Sequence, residues 1–463
     1  MKKIILISII LLTAFSARTQ DISGQWNGIL NIQGTQLRIV FHIEKTDNGY
    51  TSTMDSPDQG ATGIPVSSTS FEENKLALLM PNLGATYNGE LKDGVLKGIF
   101  KQAGMNLPMD MTREEPEKEK LDRPQEPKGP LPYLEEEVTF RNTGADITLA
   151  GTLTKPKGDG KFPAVVMISG SGPQDRNEEV MGHKPFLIIS DYLTRQGIAV
   201  LRYDDRGVGK STGNFGLSTS KNFATDVHSA LEYLRSRDDI DLSNLGLIGH
   251  SEGGLIAPMV AAKEPKLKFI VLLAGTGERG VDILKKQQEL ILKANGMSDE
   301  DLTEVLKDNA IMFNLILEKD DVGKVRQEVK EFIMGRLKDN PSFNSSGLTD
   351  EQFADSQAKQ LANPWMLEFL KYDPYPTLKK VKCSVLAVNG EKDLQVPVEN
   401  LEFIAKGLKE GKNKDVTTKA FPNLNHLFQE ANSGSPNEYA AISQTFSPEV
   451  LEFMSSWILQ RVK

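Results

Sequence analysis

Two patterns of hydrophobic and polar positions divide the chain. In residues 21–112, apolar side chains recur at every second position, as Leu37, Ile39, Phe41 and Ile43 do in the segment QLRIVFHI. This is the period of a β-strand with one buried face. The segment ELKDGVLKGIF places Asp-Gly between two apolar runs, which is a hairpin signal. The pattern therefore predicts an all-β domain over residues 21–112, either a small sandwich or a barrel.

From residue 133 onward the apolar runs are nearly continuous and alternate with helical segments. The runs are typical of strands that are buried on both faces, and they read FPAVVMIS, GIAVLRYD, LGLIGH, FIVLLAG and CSVLAVNG. Between two of them, the segment NFATDVHSALEYLRS places its apolar residues on one helical face. Alternating strands and helices predict an α/β domain with a mostly parallel, doubly wound sheet.

Three further segments complete the predicted organisation. Residues 281–373 carry consecutive helical patterns, which predict a helical cap inserted into a domain that spans 133–463. Residues 113–132 contain five prolines among many charges, which predicts an extended, solvated linker. Residues 1–20 have two lysines, an apolar run and then small residues, which predicts a signal peptide and export to the periplasm or the extracellular space. A retained N-terminal anchor is the alternative, although the apolar run is too short to span a bilayer.

The composition excludes several classes of partner. The 463-residue chain has a net charge of −9 and no basic cluster, so nucleic acid is not an expected partner. Beyond the N-terminus, no segment is long and apolar enough to predict a transmembrane helix. The single cysteine, Cys383, lies in a strand-like apolar run, so we expect a buried thiol rather than a nucleophile.

A serine flanked by two glycines occurs twice in the sequence. The motif Gly-His-Ser-Glu-Gly contains Ser251, and the motif Gly-Lys-Ser-Thr-Gly contains Ser211. A nucleophile elbow requires a strand before the serine and a helix after it. Residues 245–248 and 255–262 supply these around Ser251, whereas loop-forming residues follow Ser211. Ser251 is the predicted nucleophile, and a phosphate loop ending in GKS is disfavoured because Asp204 stands where that loop needs glycine.

A serine hydroxyl needs a base, and the base needs an acid that orients it. Enzymes with a nucleophile elbow place the acid and then the histidine after the serine in the chain. Of the five histidines, His426 follows a predicted strand near the C-terminus, and His183 is a weaker rival. Asp393 directly follows the strand CSVLAVNG and is the predicted acid, with Glu391 as the fallback.

Acyl transfer also requires backbone N–H groups that bind the developing oxyanion. One is expected from Glu252, the residue after the nucleophile, where the N-terminal end of a helix dipole adds positive potential. The other is expected from the loop SGSGPQDRNE after an early strand, with Ser171 as the first candidate and Gly172 as the second.

The second domain resembles an α/β-hydrolase, and it is similar to bacterial exported serine esterases and to serine-aminopeptidase-like hydrolases. The segments that carry the resemblance are SGSGPQDRNE, YDDRGVGKS, GHSEGG, NPWMLEFLKYDP, NGEKDLQVP and NLNH. The resemblance implies Ser251, Asp393 and His426 as the catalytic triad. Many relatives have a histidine at the position of Ser169, which bears on the hydrogen bonds of the oxyanion loop. The β-domain resembles extensions of related secreted hydrolases; with Trp26 as its one tryptophan, we expect packing or spacing rather than glycan binding.

The expected reaction is hydrolysis of a small-molecule carboxylic ester through an acyl-enzyme, without a metal or an organic cofactor. An ester is favoured because a helical cap suits small acyl substrates, and because the β-domain is too small for the β-propeller of many related peptidases. A serine peptidase is the alternative, with Glu252 or Asp175 as the anchor for the substrate amine. A domain that binds without catalysing is a third hypothesis.

Four residues are candidates for the substrate pocket. Trp365, Phe369 and Tyr372 have the spacing of one helix face in the cap, which is equally the spacing of a packed helix. Arg176 is a candidate for binding a carboxylate, and ion pairs with neighbouring aspartates that hold the loops are the alternative.

Overall fold

A computed structural model gives the fold of the chain. It describes residues 21–32, 35–47, 49–57, 61–102, 105–115, 123–340, 344 and 348–462. The expected signal peptide, residues 1–20, lies outside the described residues. Within the described part of the chain, no helix has the length and apolar character needed to cross a membrane.

The N-terminal domain is an antiparallel barrel. Its strands in the described residues are β1 (Gly24–Ile32), β2 (Thr35–Thr46), β3 (Gly49–Ser56), β4 (Ala61–Glu72), β5 (Lys75–Met80), β6 (Ala85–Lys92), β7 (Val95–Gln102), β8 (Met105–Pro108) and β9 (Met111–Thr112). Each strand from β1 to β7 pairs with its sequence neighbour, and β9 closes the ring because it pairs with both β1 and β7. The all-β prediction is confirmed, and the form is the barrel.

Side chains fill the interior of the barrel. Trp26, Phe41 and Tyr87 are almost completely buried there, as alternation of apolar and polar positions requires. The Tyr87 ring lies over Gly89 and Gly98, which are paired across β6 and β7. A Cβ atom on Gly98 would lie 2.4 Å from the Tyr87 hydroxyl oxygen, so the ring fits only because this position is glycine. The hydroxyl donates to the main chain, which satisfies its only polar group.

The segment between the two domains is partly docked rather than solvated throughout. The Arg123 guanidinium donates to four main-chain carbonyls, those of Met181, Gly182, Ala440 and Ile442. Residues 123–126 therefore bind the second domain, and the expectation of a fully solvated linker is wrong for these residues. The sequence pattern missed this because a half-buried arginine in a charged, proline-rich segment looks like part of a solvated linker until its carbonyl partners are known.

The second domain contains an eight-stranded mixed sheet. Its strands are β10 (Tyr133–Asn142), β11 (Ile147–Pro156), β12 (Phe162–Ile168), β13 (Ala199–Tyr203), β14 (Ile240–His250), β15 (Phe269–Leu273), β16 (Ser384–Gly390) and β17 (Val416–Phe421). Their spatial order is β10-β11-β13-β12-β14-β15-β16-β17. The six strands from β13 to β17 in this order are parallel, and β10 and β11 add an antiparallel edge. This is the predicted mostly parallel sheet.

Helices cover both faces of this sheet and form a cap over one of its edges. They are α1 (Pro185–Arg195), α2 (Ser220–Arg235), α3 (Glu252–Ala261), α4 (Gly280–Ala294), α5 (Asp299–Leu317), α6 (Val322–Asp339), α7 (Asp350–Leu361), α8 (Pro364–Lys371), α9 (Tyr375–Leu378), α10 (Asn400–Glu410) and α11 (Pro448–Val462). Helices α2, α3 and α10 share one apolar core with the sheet, and α1 and α11 share another on the opposite face. Helices α4 to α8 have a separate core, as expected of a cap.

The topology brings the predicted site residues to one edge of the sheet. Because β12, β14, β15, β16 and β17 are parallel, the loops after them all leave from the same edge. The oxyanion loop follows β12, Ser251 follows β14, Asp393 follows β16 and His426 follows β17. Residues that are up to 255 positions apart in the chain (171 to 426) therefore come to the same edge of the sheet.

Candidate active site

Ser251 occupies a sharp turn between β14 and α3. Its φ and ψ angles are 52° and −115°, a conformation that is costly for a residue with a side chain. The turn is held by the Ser251 N–H, which donates to the Leu273 carbonyl at 2.8 Å. Both flanking glycines are required because the main chain passes too close to them for a side chain. A Cβ on Gly249 would lie 2.0 Å from the Gly253 carbonyl oxygen, and a Cβ on Gly253 would lie 2.1 Å from the Ile168 carbonyl oxygen. Ser251 therefore has the backbone of a nucleophile elbow.

Asp393 and His426 form a buried hydrogen-bonded pair beside this turn. The Nδ1 atom of His426 lies 2.7 Å from Oδ2 of Asp393, and the two residues are 4% and 3% exposed. The other carboxylate oxygen, Oδ1, accepts the N–H groups of Gln395 and Val396 at 2.8 Å each. Because Nδ1 donates to the carboxylate, Nε2 of His426 is left as the basic nitrogen.

The loop that carries His426 is shaped by its neighbour. The Asn425 side-chain oxygen accepts the N–H groups of Leu427 and Gln429 at 3.0 and 2.9 Å, which turns the chain tightly after β17. The segment NLNH therefore encodes both the base and the turn that presents it.

The candidate oxyanion donors are free in the part of the chain that the structure describes. Neither the Glu252 N–H nor the Ser171 N–H has a hydrogen-bond acceptor among the described residues. The oxyanion loop passes directly beside the nucleophile, since a Cβ on Gly170 would lie 3.2 Å from the Cβ of Ser251. Gly172 has a φ of 94°, which lets the loop turn back at this point.

Buried carboxylates hold the oxyanion loop. Asp205 accepts the Ser169 hydroxyl at 2.8 Å and the Gln174 N–H at 3.1 Å, and burial raises the pKa of this carboxyl well above its usual range. Ser169, which replaces the histidine of many relatives, is thus tied to the end of β13. Arg176 forms a bidentate pair with Asp204 at 2.8 and 2.9 Å.

Three of the four candidate pocket residues have partners within the protein. Arg176 also donates to Glu137 and Thr152, so its donors are engaged within the protein, which favours the ion-pair alternative over a role in substrate binding. Phe369 is 6% exposed, and the Tyr372 hydroxyl forms a hydrogen bond with the Thr377 hydroxyl. Both residues therefore contribute to the packing of the cap.

Trp365 is the pocket candidate that contacts the elbow. Its indole N–H donates to Oε1 of Glu252 at 2.8 Å, and its ring stacks on Phe369 with centroids 4.9 Å apart. Ser220 donates to the same Oε1 atom at 2.5 Å. Burial raises the pKa of the Glu252 carboxyl. Glu252 therefore joins cap helix α8 to the turn that carries the nucleophile, while its main-chain N–H faces the site.

The rival residues are used structurally. Ser211 donates to the Asp204 carbonyl at 2.7 Å and is buried. His183 is fully buried, and its nitrogens are bound to Thr445 and the Tyr439 carbonyl. Cys383 is half-buried rather than fully buried, and desolvation raises the pKa of its thiol to about 12, which disfavours the reactive thiolate.

Sequence reasoning missed Glu178 and the side chain of His250. Glu178, in the segment DRNEEV, is 3% exposed and contacts His250 at 3.0 Å behind the elbow. Five charged or amide residues in a row predict a solvated loop, so only the fold reveals that one of them turns inward. In the described residues, no group of three or more His, Cys, Asp or Glu side chains is arranged to hold a metal ion.

Two family models match the second domain. Residues 186–307 match the serine aminopeptidase S33 model, and residues 341–451 match the prolyl oligopeptidase family model. Both matches lie on the domain that has the mixed sheet and the serine elbow. The second domain has the α/β-hydrolase fold. The predicted fold class, with its N-terminal all-β domain and helical cap, is confirmed.

Curated relatives of the chain include an esterase and a putative hydrolase. It is 27% identical to Esterase EstD of Thermotoga maritima over 338 residues, which are 72% of this chain and 69% of the relative. It is 33% identical to the putative hydrolase YtaP of Bacillus subtilis over 150 residues, which are 29% of this chain and 50% of the relative.

Solved structures that resemble the α/β-hydrolase include two esterases. The Pyrococcus furiosus esterase Pf2001 aligns over 72% of this chain and 94% of its own, with 14% identity and a TM-score of 0.42. Est1E of Butyrivibrio proteoclasticus, with ferulic acid bound, aligns over 70% of this chain and 99% of its own, with 18% identity and a TM-score of 0.42.

Proposed function

We propose that this α/β-hydrolase cleaves small carboxylic esters through an acyl-enzyme on Ser251. The observation that carries the proposal is the His426–Asp393 pair at 2.7 Å, buried beside a serine in a strained elbow. These are the three groups that serine acyl transfer requires, in the chain order of enzymes with a nucleophile elbow. The similarity to Esterase EstD supports an ester as the substrate.

The proposed reaction has two acyl-transfer steps. Nε2 of His426 takes the Ser251 hydroxyl proton while the oxygen attacks the ester carbonyl, and the oxyanion is bound by the N–H groups of Glu252 and Ser171. His426 then gives that proton to the departing alcohol, which leaves an ester between the acyl group and Ser251. Water that has lost a proton to His426 attacks this ester, and the carboxylic acid is released as Ser251 regains its proton. Asp393 stabilises the imidazolium in both steps.

Hydrolysis of nitrophenyl esters of increasing acyl length tests this proposal. We expect turnover in the wild type, loss of nearly all turnover in Ser251→Ala, and retention in Ser211→Ala. Ser211 lies in the second Gly-x-Ser-x-Gly motif and makes only structural hydrogen bonds, so it is the matched control. Thermal unfolding of each variant separates loss of chemistry from loss of fold. Absence of ester turnover together with absence of labelling by a fluorophosphonate would overturn the proposal.

A serine peptidase is the second candidate, because both family models that match the chain are peptidase families. The two carboxylates considered as an anchor for a substrate amine are already engaged. Glu252 binds Ser220 and Trp365, and Asp175 accepts the N–H groups of Asn177 and Glu179. These contacts favour the ester. Aminoacyl nitroanilides test the alternative: their cleavage, with weak ester cleavage, would establish a peptidase.

The signal-like pattern of residues 1–20 supports a further part of the proposal, export of the hydrolase to the periplasm or the extracellular space. Fractionation of an expressing bacterium and N-terminal sequencing of the purified protein test it. We expect an exported protein that begins near residue 17 or residue 21. A cytosolic protein that retains Met1 would contradict export.

A further inference from the structure

His250 is a buried histidine with no part in the proposed proton transfers. Its ring is 6% exposed and lies beside the His426 ring, with centroids 4.8 Å apart. Nε2 lies 2.9 Å from the main-chain oxygen of His426, and Nδ1 lies 3.0 Å from Oε1 of Glu178. His250 therefore contacts the loop of the base on one side and the oxyanion loop on the other.

Both ring nitrogens of His250 face oxygen atoms. The His426 carbonyl only accepts, so Nε2 carries a proton. A neutral imidazole has one N–H, so the bond from Nδ1 to Glu178 needs a second proton. That proton lies in the hydrogen bond between Nδ1 of His250 and Oε1 of Glu178. Burial lowers the pKa of His250, but the Glu178 charge and its hydrogen bond outweigh this, and the net pKa is raised.

The position of Glu178 is unfavourable in free energy. It has a φ of 52°, and its Oε2 atom has no hydrogen-bond partner among the described residues. The side chains around the pair, including those of Phe186, Leu273 and Phe446, are apolar. A strained residue with a buried carboxylate oxygen left unpaired is destabilising for the fold alone.

A second hydrogen bond of Glu178 gives its unfavourable position a role in the site. Its Oε1 atom also accepts the N–H of Gly170 at 2.6 Å. Gly170 immediately precedes Ser171, the candidate oxyanion donor. One carboxylate oxygen thus fixes the oxyanion loop and, through His250, the main chain of His426.

We propose that Glu178 and His250 are positioning residues, which together hold the oxyanion loop and the loop of the base at fixed places on either side of Ser251. This proposal rests on the proposed acyl-transfer function. His250 adjoins Ser251 in the chain, so the nucleophile, the base and one oxyanion donor are linked by three hydrogen bonds of 2.6 to 3.0 Å. A shift of about 1 Å in any of them would reduce turnover without removing a reacting group.

The variants Glu178→Gln and His250→Gln test the proposal, and the chain offers a matched control. His228 and Glu264 form another His–Glu pair, at 2.9 Å between α2 and the segment after α3, away from the site. We expect kcat to fall about 10- to 100-fold in Glu178→Gln and His250→Gln, as for partners that orient reacting groups, with KM little changed. In His228→Gln and Glu264→Gln, kcat and KM stay as in the wild type. Wild-type kcat in folded Glu178→Gln would overturn the proposal, as would equal losses of kcat in the control pair.

The rate of labelling by a fluorophosphonate separates this proposal from the proposed function. The probe reports the reactivity of Ser251 whichever substrate the enzyme uses. If the wild type is labelled but cleaves no ester, the substrate assignment fails, and slower labelling of Glu178→Gln still supports the positioning role. If the wild type cleaves esters and Glu178→Gln is labelled at the wild-type rate, the function stands and the positioning role is overturned. If the wild type is neither labelled nor active, both fail.

Discussion

Asp393 Oδ2 and His426 Nδ1 lie 2.7 Å apart although they are separated by 33 residues of sequence. The pair exists because β16 and β17 are parallel neighbours, so the loops that follow them leave from the same edge of the sheet. Two N–H groups donate to Oδ1 of Asp393, and these bonds fix the carboxyl group so that Oδ2 faces and orients the histidine base.

Replacement of Asp393 by asparagine is expected to lower kcat by about 10³- to 10⁴-fold, because the amide no longer stabilises the imidazolium and selects the wrong histidine tautomer. Ester kinetics on the purified variant measure the effect. Asp226→Asn is a matched control, since Asp226 is equally buried but pairs with Arg206 away from Ser251. Its cost should appear in thermal stability, with kcat of the folded protein close to the wild type. A normal kcat in Asp393→Asn would contradict the assignment of the acid.

The Trp365 side chain is expected to set the preferred acyl length. Trp365→Phe removes the bond to Glu252 but keeps a ring on Phe369, whereas Trp365→Ala also opens space between α8 and the elbow. We expect Trp365→Ala to shift the best nitrophenyl ester to a longer acyl chain and Trp365→Phe to keep the wild-type preference. The full ester series on both variants measures this. An unchanged preference in Trp365→Ala would place the acyl group elsewhere.

His183 is expected to make the protein less stable in acid. Burial lowers its pKa from 6.5 to about 4, so the folded state binds the proton more weakly than the unfolded state does. The stabilisation is complete above pH 6.5 and is lost as the pH falls through 4, and between pH 7 and pH 4.5 it amounts to about 2–3 kcal/mol. Urea unfolding at the two pH values should show this loss in the wild type. Between the same two pH values, the free energy of unfolding of His183→Gln should fall by about 2–3 kcal/mol less than that of the wild type. Equal losses of unfolding free energy in both proteins would contradict the prediction.

A methyl group at Gly89 is expected to destabilise the barrel and leave the chemistry intact. Its Cβ would lie 2.5 Å from the Tyr87 hydroxyl oxygen, and the three nearest atoms all belong to Tyr87, so the ring must move, at a cost of about 1–3 kcal/mol for an overpacked core. Thermal unfolding of Gly89→Ala measures the cost. The double variant Tyr87→Leu with Gly89→Ala removes the clash, and it should lose little more stability than Tyr87→Leu alone. Additive losses would mean that the clash is not the cause.

Local sequence was sufficient for the features that depend on neighbouring residues. The hydrophobic period predicted the strands from β12 to β16, because burial on both faces of a sheet leaves an uninterrupted apolar run. The strand before Ser251 and the helix after it distinguished this serine from Ser211. Chain order alone then selected Asp393 and His426, since each follows a strand of the parallel sheet.

The antiparallel strands β10 and β11 were not predicted. Strand β10 carries Glu135, Glu136 and Glu137 in a row, which resembles an exposed segment until its pairing with β11 is known. The same holds for single charged residues whose role depends on distant partners. In the sequence, Arg176 resembles an anion-binding residue. Only the fold shows that its guanidinium N–H groups donate to Asp204 and Glu137. Arg123 lies in a charged, proline-rich segment that predicts a linker. Only the fold shows that it donates to four main-chain carbonyls of the second domain.

The amino-acid sequence thus determined the elements, their alternation and the residue types of the site, because these follow from periodicity and from turn chemistry. Tertiary structure alone decided which charges are buried and which atoms they contact. Glu178 shows the difference: nothing local distinguishes it from Glu179, yet a left-handed backbone turns one carboxylate inward to Gly170 and His250. The free energy of a buried charge depends on partners that only the folded chain supplies.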